Sequence, residues 1–172
     1  GLSGRLLIWI RAYLTGRTIQ AVVGGHSSST YNISAGVPQG SVLGPTLFLL
    51  YVNDLEDHLP HGVKLAVYAD DTTLYVALES QLPVADTCAL LQSAVDALAS
   101  WGRDWFITFE PTKSQVLTLG RHRDWDIPPL LFDGVEVAEV AELKLLGVIF
   151  DRQLTFAPHL QQVAVKARQR LG

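Results

Sequence analysis

Two adjacent carboxylates, Asp70 and Asp71, stand between apolar runs. Lys64-Leu65-Ala66-Val67-Tyr68-Ala69 precedes them and Thr72-Thr73-Leu74-Tyr75-Val76-Ala77 follows. Two β-rich runs split in this way predict a hairpin with both acids at its tip. Buried strands would hold that tip rigidly. Hard divalent cations need oxygen ligands in fixed places, and Mg²⁺ is held through one or two carboxylates while it keeps waters and substrate phosphates. Two such ions about 3.5–4 Å apart stabilise both the attacking and the leaving oxygen of phosphoryl transfer. Neighbouring residues on a strand face opposite ways, so one acid should dominate metal binding, and we assign that role to Asp70. Taken alone, the pair has a plainer reading as a solvated turn, because Asp is a favoured turn residue.

A second stretch is Gly36-Val37-Pro38-Gln39-Gly40-Ser41-Val42-Leu43-Gly44-Pro45. Its three glycines let backbone approach another group closely. A helix beginning near Ser41 would offer free N–H groups and positive potential to a phosphate or a base edge. No Gly-Lys-Ser/Thr follows, so it is not a Walker loop. Ser41 directly follows Gly40, so it is not a Gly-x-Ser-x-Gly elbow. By itself it also reads as a helix cap with a proline turn. A third feature is Lys113 in Phe109-Glu110-Pro111-Thr112-Lys113-Ser114. A lysine on a rigid turn can meet a triphosphate or protonate a leaving group, or it can simply be solvated. The five histidines (His26, His58, His61, His122, His159) show no zinc spacing with one another or with Cys88, and read as structural or surface residues.

The elements that must position these groups follow from periodicity. Residues 1–15 read as a helix, with Leu6, Leu7, Ile10, Tyr13 and Leu14 at helical spacing and Gly16 as the stop. Residues 18–23 read as a strand, and 31–34 as its return. Residues 41–54 read as a buried helix with Pro45 in its first turn. Asp86 can cap a helix over 87–105, with Leu91, Val95, Leu98 and Trp101 on one stripe. Short strands are expected at 107–109 and 115–119, and a loop over 121–129. A hairpin around Asp133-Gly134, one strand over 143–150 and a basic helix over 156–171 complete the chain. Helices alternate with hairpins, which gives an α+β class with helices on one face of an antiparallel sheet.

The bulk properties agree with a folded enzyme segment. The chain has 172 residues, 48% hydrophobic and 17% charged, enough for one domain with a core. One cysteine allows no internal disulfide, which fits a reducing, intracellular compartment rather than secretion. The apolar run 42–52 is too short and too interrupted to span a bilayer, so no membrane partner is expected. The net charge of −4 argues against a self-sufficient nucleic-acid binder. The charge is uneven, however. Arg5, Arg11 and Arg17 open the chain, Lys166, Arg168 and Arg170 close it, and acids gather at the centre. There is no methionine and residue 1 is Gly, so a piece of a longer frame is expected.

Each signal is weak alone, but their order and spacing are specific. The stretch from Gly36 to Pro45, running on to Tyr51-Val52-Asn53-Asp54-Leu55, resembles the B motif of non-LTR (LINE-like) retrotransposon reverse transcriptases. Tyr68-Ala69-Asp70-Asp71 resembles their C motif. Trp101, Trp105 and Phe109-Glu110-Pro111-Thr112-Lys113-Ser114 resemble the D motif. Leu143-Lys144-Leu145-Leu146-Gly147-Val148 resembles the E motif, and His159 sits where this group often has one. Residues 1–16 are similar to the segment after the A motif. Viral RNA polymerases more often show Gly-Asp-Asp at the corresponding tip.

The resemblance implies a polymerase palm, an antiparallel ferredoxin-like sheet with helices packed on one face, over 1–152. Residues 153–172 would begin the thumb helix. It implies RNA-directed DNA synthesis from an RNA template, a DNA primer and dNTPs with two Mg²⁺ (or Mn²⁺) ions. Asp70 would bind metal, with Asp71 beside it and less direct. Tyr68 would lie near the primer end. Pro38, Gln39 and Gly40 would line the nascent base pair and template. Lys113 would approach the triphosphate, and Leu146 and Gly147 would belong to the primer grip. The family's A motif supplies a further metal-binding Asp, and no acid occurs in residues 1–36. The isolated chain is therefore expected not to polymerise. The alternative is a non-catalytic remnant that at most binds nucleic acid or a partner.

Overall fold

The computed structural model describes residues 3–77, 83–120 and 127–171. The α+β class holds, with four helices and short strand pairs among these residues. The chain divides into two units. One comprises Gly1–Asp54 with Tyr68–Asp71, the other Leu55–Val67 with Thr72–Gly172.

The first unit opens with α1, Gly4–Leu14, which has no buried residue. Trp9 and Tyr13 stack one helical turn apart, ring centroids 5.5 Å apart. β1 (Arg17–Ile19) pairs antiparallel with β4 (Tyr31–Ile33), and between them β2 (Val22–Val23) pairs with β3 (His26–Ser27). The single strand expected over 18–23 is thus two. The break has a local cause. The Ala21 N–H donates to the Ser28 hydroxyl at 3.0 Å, and the Gln20 amide donates to the Ser28 carbonyl at 2.6 Å. They flank a backbone bond from the Ser28 N–H to the Ala21 carbonyl at 2.9 Å. Next comes α2, Gly44–Val52, with Pro45 in its first turn, where a missing N–H costs nothing. It starts three residues later than expected, and only Gly44 and Val52 in it are buried.

The second unit is built on α3, Val84–Asp104. Its buried face carries Ala94, Val95, Leu98, Ala99 and Trp101, and Leu55 is buried with them in this unit's core. Asp86 lies in the first turn and the cap position falls to Pro83, so the expected cap is displaced by one turn. The helix ends in a Schellman arrangement, with the Ile107 N–H on the Gly102 carbonyl at 2.8 Å and the Phe106 N–H on Arg103 at 3.4 Å. Phe106 holds the left-handed position, φ +56°, that glycine usually fills. Gly102 is needed for packing. A Cβ there would lie 2.8 Å from both the Ile107 carbonyl and the Phe109 ring.

The remaining strands come as ribbons. β5 (Val63–Tyr68) pairs with β6 (Asp71–Val76), and β7 (Gln115–Val116) pairs in parallel with β10 (Ala138–Glu139). β8 (Leu131–Phe132) pairs with β9 (Val135–Glu136) around the expected Asp133-Gly134 turn. The side chain of Gln92 brackets the Leu131 backbone, accepting its N–H and donating to its carbonyl, both at 2.8 Å, and so ties this hairpin to α3. Residues 107–109 form no strand, because the chain there closes the end of α3. The strand expected over 143–150 is a hairpin, β11 (Glu142–Leu145) with β12 (Val148–Asp151), turning at Leu146 and Gly147. α4, Ala157–Leu171, follows. Residues 121–126 of the expected loop lie outside the described residues.

All described sheets are two-stranded, so one continuous ferredoxin-like sheet is not seen among the described residues. Most strands are two to four residues long, too short to build a broad sheet. No described helix is long and apolar enough to cross a membrane.

Candidate functional site

β5 and β6 are joined by only Ala69 and Asp70, so Asp71 is the first residue of the second strand. Ala69 has φ +53°. Two-residue hairpin loops favour positive φ at their first central position, because that twist matches the flanking strands, and Gly is the usual occupant. Alanine there carries strain, of the order of 1–2 kcal/mol. Asp70 and Asp71 are both exposed, as is Tyr68. The flanking strands are less buried than expected. In β5, Val63, Leu65 and Val67 form a covered or half-covered face, while Lys64, Ala66 and Tyr68 face solvent. That is the alternation of a ribbon with one wet face.

The glycine-rich stretch folds into a compact loop that belongs to the same unit as the Tyr68–Asp71 tip. Gly36 and Gly40 have φ of +73° and +77°, a conformation that side chains rarely adopt. The Ser41 hydroxyl donates to the Pro38 carbonyl at 2.7 Å and accepts the Gly44 N–H at 3.0 Å. It therefore satisfies the first amide of α2 from three residues back, which is why the helix starts at Gly44 and not at Ser41. Gln39 and Gly40 stay exposed, and Pro38 is half-buried.

Lys113 and the Leu146–Gly147 pair lie in the other unit. Lys113 ends a short 3-10 turn, Pro111–Lys113, and is exposed. Glu110, a residue the sequence reading did not single out, sits at the base of this turn. The Thr112 hydroxyl donates to its carboxylate at 2.7 Å. That bond, with the Thr112 N–H and the charge of Lys113 adding to it against slight desolvation, holds Glu110 below the usual carboxylate range. Leu146 and Gly147 both have positive φ, +49° and +87°, and the Leu146 side chain is 56% exposed. A leucine in the left-handed region with its side chain in water is strained without local compensation.

Asp151 was also missed. Its carboxylate accepts N–H groups of Gln153, Thr155 and Phe156 and the Thr155 hydroxyl, at 2.7–3.1 Å, just ahead of α4. Desolvation opposes its ionisation, but these four bonds outweigh that and hold its pKa below the ordinary value. His159 lies on the first turn of α4, its Nδ1 buried with no hydrogen-bond partner among the described residues. An Asp a few residues ahead of a helix is a recognisable helix-entry signal, but nothing in the sequence gives its four donors.

Chemically, the Tyr68–Asp71 turn offers two oxygen-donor side chains to a hard cation. Among the described residues no third His, Cys, Asp or Glu joins them. Two carboxylates fit what Mg²⁺ takes from protein, with waters and substrate phosphates filling its other positions.

An aspartate pair at a tight turn thus shares one unit with the glycine-rich loop that precedes it along the chain. The chain belongs to the reverse transcriptase (RNA-dependent DNA polymerase) family, whose description it matches over residues 2–150. Its relatives are polymerases of non-LTR retrotransposons. It is 32% identical, over 98% of its length, to the RNA-directed DNA polymerase from mobile element jockey of Drosophila melanogaster, and 33% identical, over 99%, to that of Drosophila funebris. It is 33% identical, over 95% of its length, to the probable RNA-directed DNA polymerase from transposon X-element of Drosophila melanogaster. The chain spans 18–19% of the length of these relatives. No solved structure matches it.

Proposed function

We propose that this chain carries the B-to-E motif part of an RNA-directed DNA polymerase palm over residues 1–152 and the start of the thumb over 153–172. The observation that carries the reading is the placement of Asp70 in a two-residue turn and of Asp71 directly after it at the start of β6, both exposed and grouped in one unit with the loop of Pro38, Gln39 and Gly40. Asp70 holds a divalent cation and Asp71 stands beside it. Bound there, Mg²⁺ or Mn²⁺ supplies charge stabilisation for the reacting oxygens. Tyr68 lies at the primer end. Pro38, Gln39 and Gly40 contact the nascent base pair and the RNA template. Lys113, on its short rigid turn, orients the dNTP triphosphate, and Leu146 with Gly147 supports the DNA primer. The enzyme works inside the cell, in nucleus or cytoplasm.

One observation favours a second reading for the chain by itself. With no third carboxylate near the pair among the described residues, the isolated 172 residues are a non-catalytic module that at most binds nucleic acid or a partner and does not extend a primer. Primer extension on an RNA template with Mg²⁺ and dNTPs separates the two. The isolated chain should give no product, whereas a complete polymerase carrying these residues should give product that Asp70→Ala abolishes. Robust extension by the isolated chain, lost in Asp70→Ala, would overturn the second reading. Extension by the complete enzyme that survives Asp70→Ala would overturn the first.

A further inference from the structure

The geometry points to Arg17 as a positioning residue for the loop over residues 36–41. Arg17 is the first residue of β1, opposite Ile33, the final residue of β4, and the ladder ends at this pair. Its guanidinium continues the work of the ladder. Nη2 donates to the Gly36 carbonyl at 2.6 Å and to the Ala35 carbonyl at 3.2 Å, while Nε donates to the Leu14 carbonyl at 2.8 Å. Leu14 is the final residue of α1, so that carbonyl is one of the helix-end acceptors that no backbone amide can reach. The side chain therefore joins three points: the end of α1, the edge of the β1–β4 ribbon and the first residues of the loop.

The loop needs such a fixture. Gly36 turns with φ +73°, and Gly40 turns again with φ +77°. At the far end, the Ser41 hydroxyl closes on Pro38 and Gly44. At the near end, the only side-chain bonds among the described residues to carbonyls 35 and 36 come from Arg17. Between the two fixtures lie Gln39 and Gly40, exposed. A planar guanidinium with its donors in a fixed fork suits this task, whereas an ammonium reaches one carbonyl at a time without setting their relative orientation. Arg17 thus acts on the template and the incoming base through the loop and touches neither. This rests on the proposed role of Pro38, Gln39 and Gly40, and the test keeps the two claims apart.

The first measurement is amide hydrogen exchange on the 172-residue chain. In Arg17→Ala, exchange at the Ser41 amide, which donates to the Pro38 carbonyl at 3.3 Å, should rise about tenfold, the loss of hydrogen bonds to a charged donor. Amides of α3 should stay unchanged, and Arg17→Lys should fall between. The second measurement is steady-state primer extension by a complete polymerase carrying these residues. Arg17→Ala should raise the dNTP KM about tenfold and raise misincorporation, with kcat within about twofold, because the chemistry at the aspartates is untouched. A loop whose exchange does not change in Arg17→Ala overturns the proposal. So does a loosened loop with normal KM, if Gln39→Ala raises KM. If the loop loosens but Gln39→Ala leaves KM and misincorporation unchanged, the positioning role stands and the reading of the loop as a template contact fails. Should Arg17→Ala lose protection in α3 as well, Arg17→Lys decides: selective loosening at the Ser41 amide supports the proposal, and unchanged exchange there overturns it.

Discussion

The Gly44 amide lies 3.0 Å from the Ser41 hydroxyl, whose own proton points to the Pro38 carbonyl 2.7 Å away. One small side chain thus caps α2 and closes the loop in front of it. A Cβ on Gly44 would meet the Ser41 oxygen at 2.8 Å and the Pro38 carbonyl at 2.9 Å, so the same contact forbids any larger residue. Ser41→Ala should destabilise the chain by about 1 kcal/mol, the usual value of a helix cap. Gly44→Ala should cost more, about 1–3 kcal/mol, because backbone must shift. Urea unfolding followed by tryptophan fluorescence measures both. A Gly44→Ala variant as stable as the parent would show that the loop relaxes freely.

Leu146 combines a left-handed backbone with an exposed apolar side chain. Leu146→Asn should stabilise the chain by up to about 1 kcal/mol, since Asn tolerates that conformation. In a complete polymerase the same change should weaken primer use several-fold, if the leucine is kept for contact with the primer. Thermal unfolding and primer KM are the two readouts. Higher stability with unchanged primer use would remove the functional reason for the strain.

Asp70 and Asp71 are not equivalent, one in the turn and one opening β6. Asp70→Asn should lower kcat of a complete polymerase by on the order of a hundredfold or more, as metal charge stabilisation is worth several kcal/mol. Asp71→Asn should cost less. Titration with Mn²⁺ by paramagnetic relaxation should show the same order in affinity. Equal loss for both would mean that the turn does not separate their roles.

Asp151 has a folded pKa below its unfolded value of about 3.9. Its contribution is therefore present above that unfolded value and is lost as pH falls through the folded one. Asp151→Asn should lower Tm at neutral pH and flatten the decline of Tm as pH falls below the ordinary carboxylate range. Glu110 shifts in the same direction, so a residual acid limb should persist until Glu110→Gln is added. An unchanged Tm profile in Asp151→Asn would show that the turn before α4 holds without the carboxylate.

Much of this arrangement was legible in the chain. The Asp133-Gly134 turn and the buried Val95, Leu98 and Trp101 are local signals that formed as read, whereas Leu91 of the same stripe is half-buried and Asp71 opens β6 instead of sharing the turn with Asp70. The misses are of two kinds. Leu146-Gly147 sits inside an apolar run, so the run reads as one strand until a leucine proves to accept a left-handed conformation. Ser41 caps from a distance of three residues, which displaces the start of α2. Arg17 was visible only as charge. Its partners at Ala35 and Gly36 lie 18 and 19 residues away, and sequence periodicity carries no record of such a contact.

The strand pairs also imply an order in time. β5–β6, β8–β9 and β11–β12 each close across two residues, an event of about 1–10 μs for a hairpin. The parallel β7–β10 pair joins Gln115 to Ala138, and Gln92 reaches Leu131 across 39 positions. Those closures must recover the entropy of much longer loops before any contact rewards them. The ribbons should therefore exist as fluctuating local structure before the chain has a core, and the slow step should be the docking of the 131–136 hairpin onto α3.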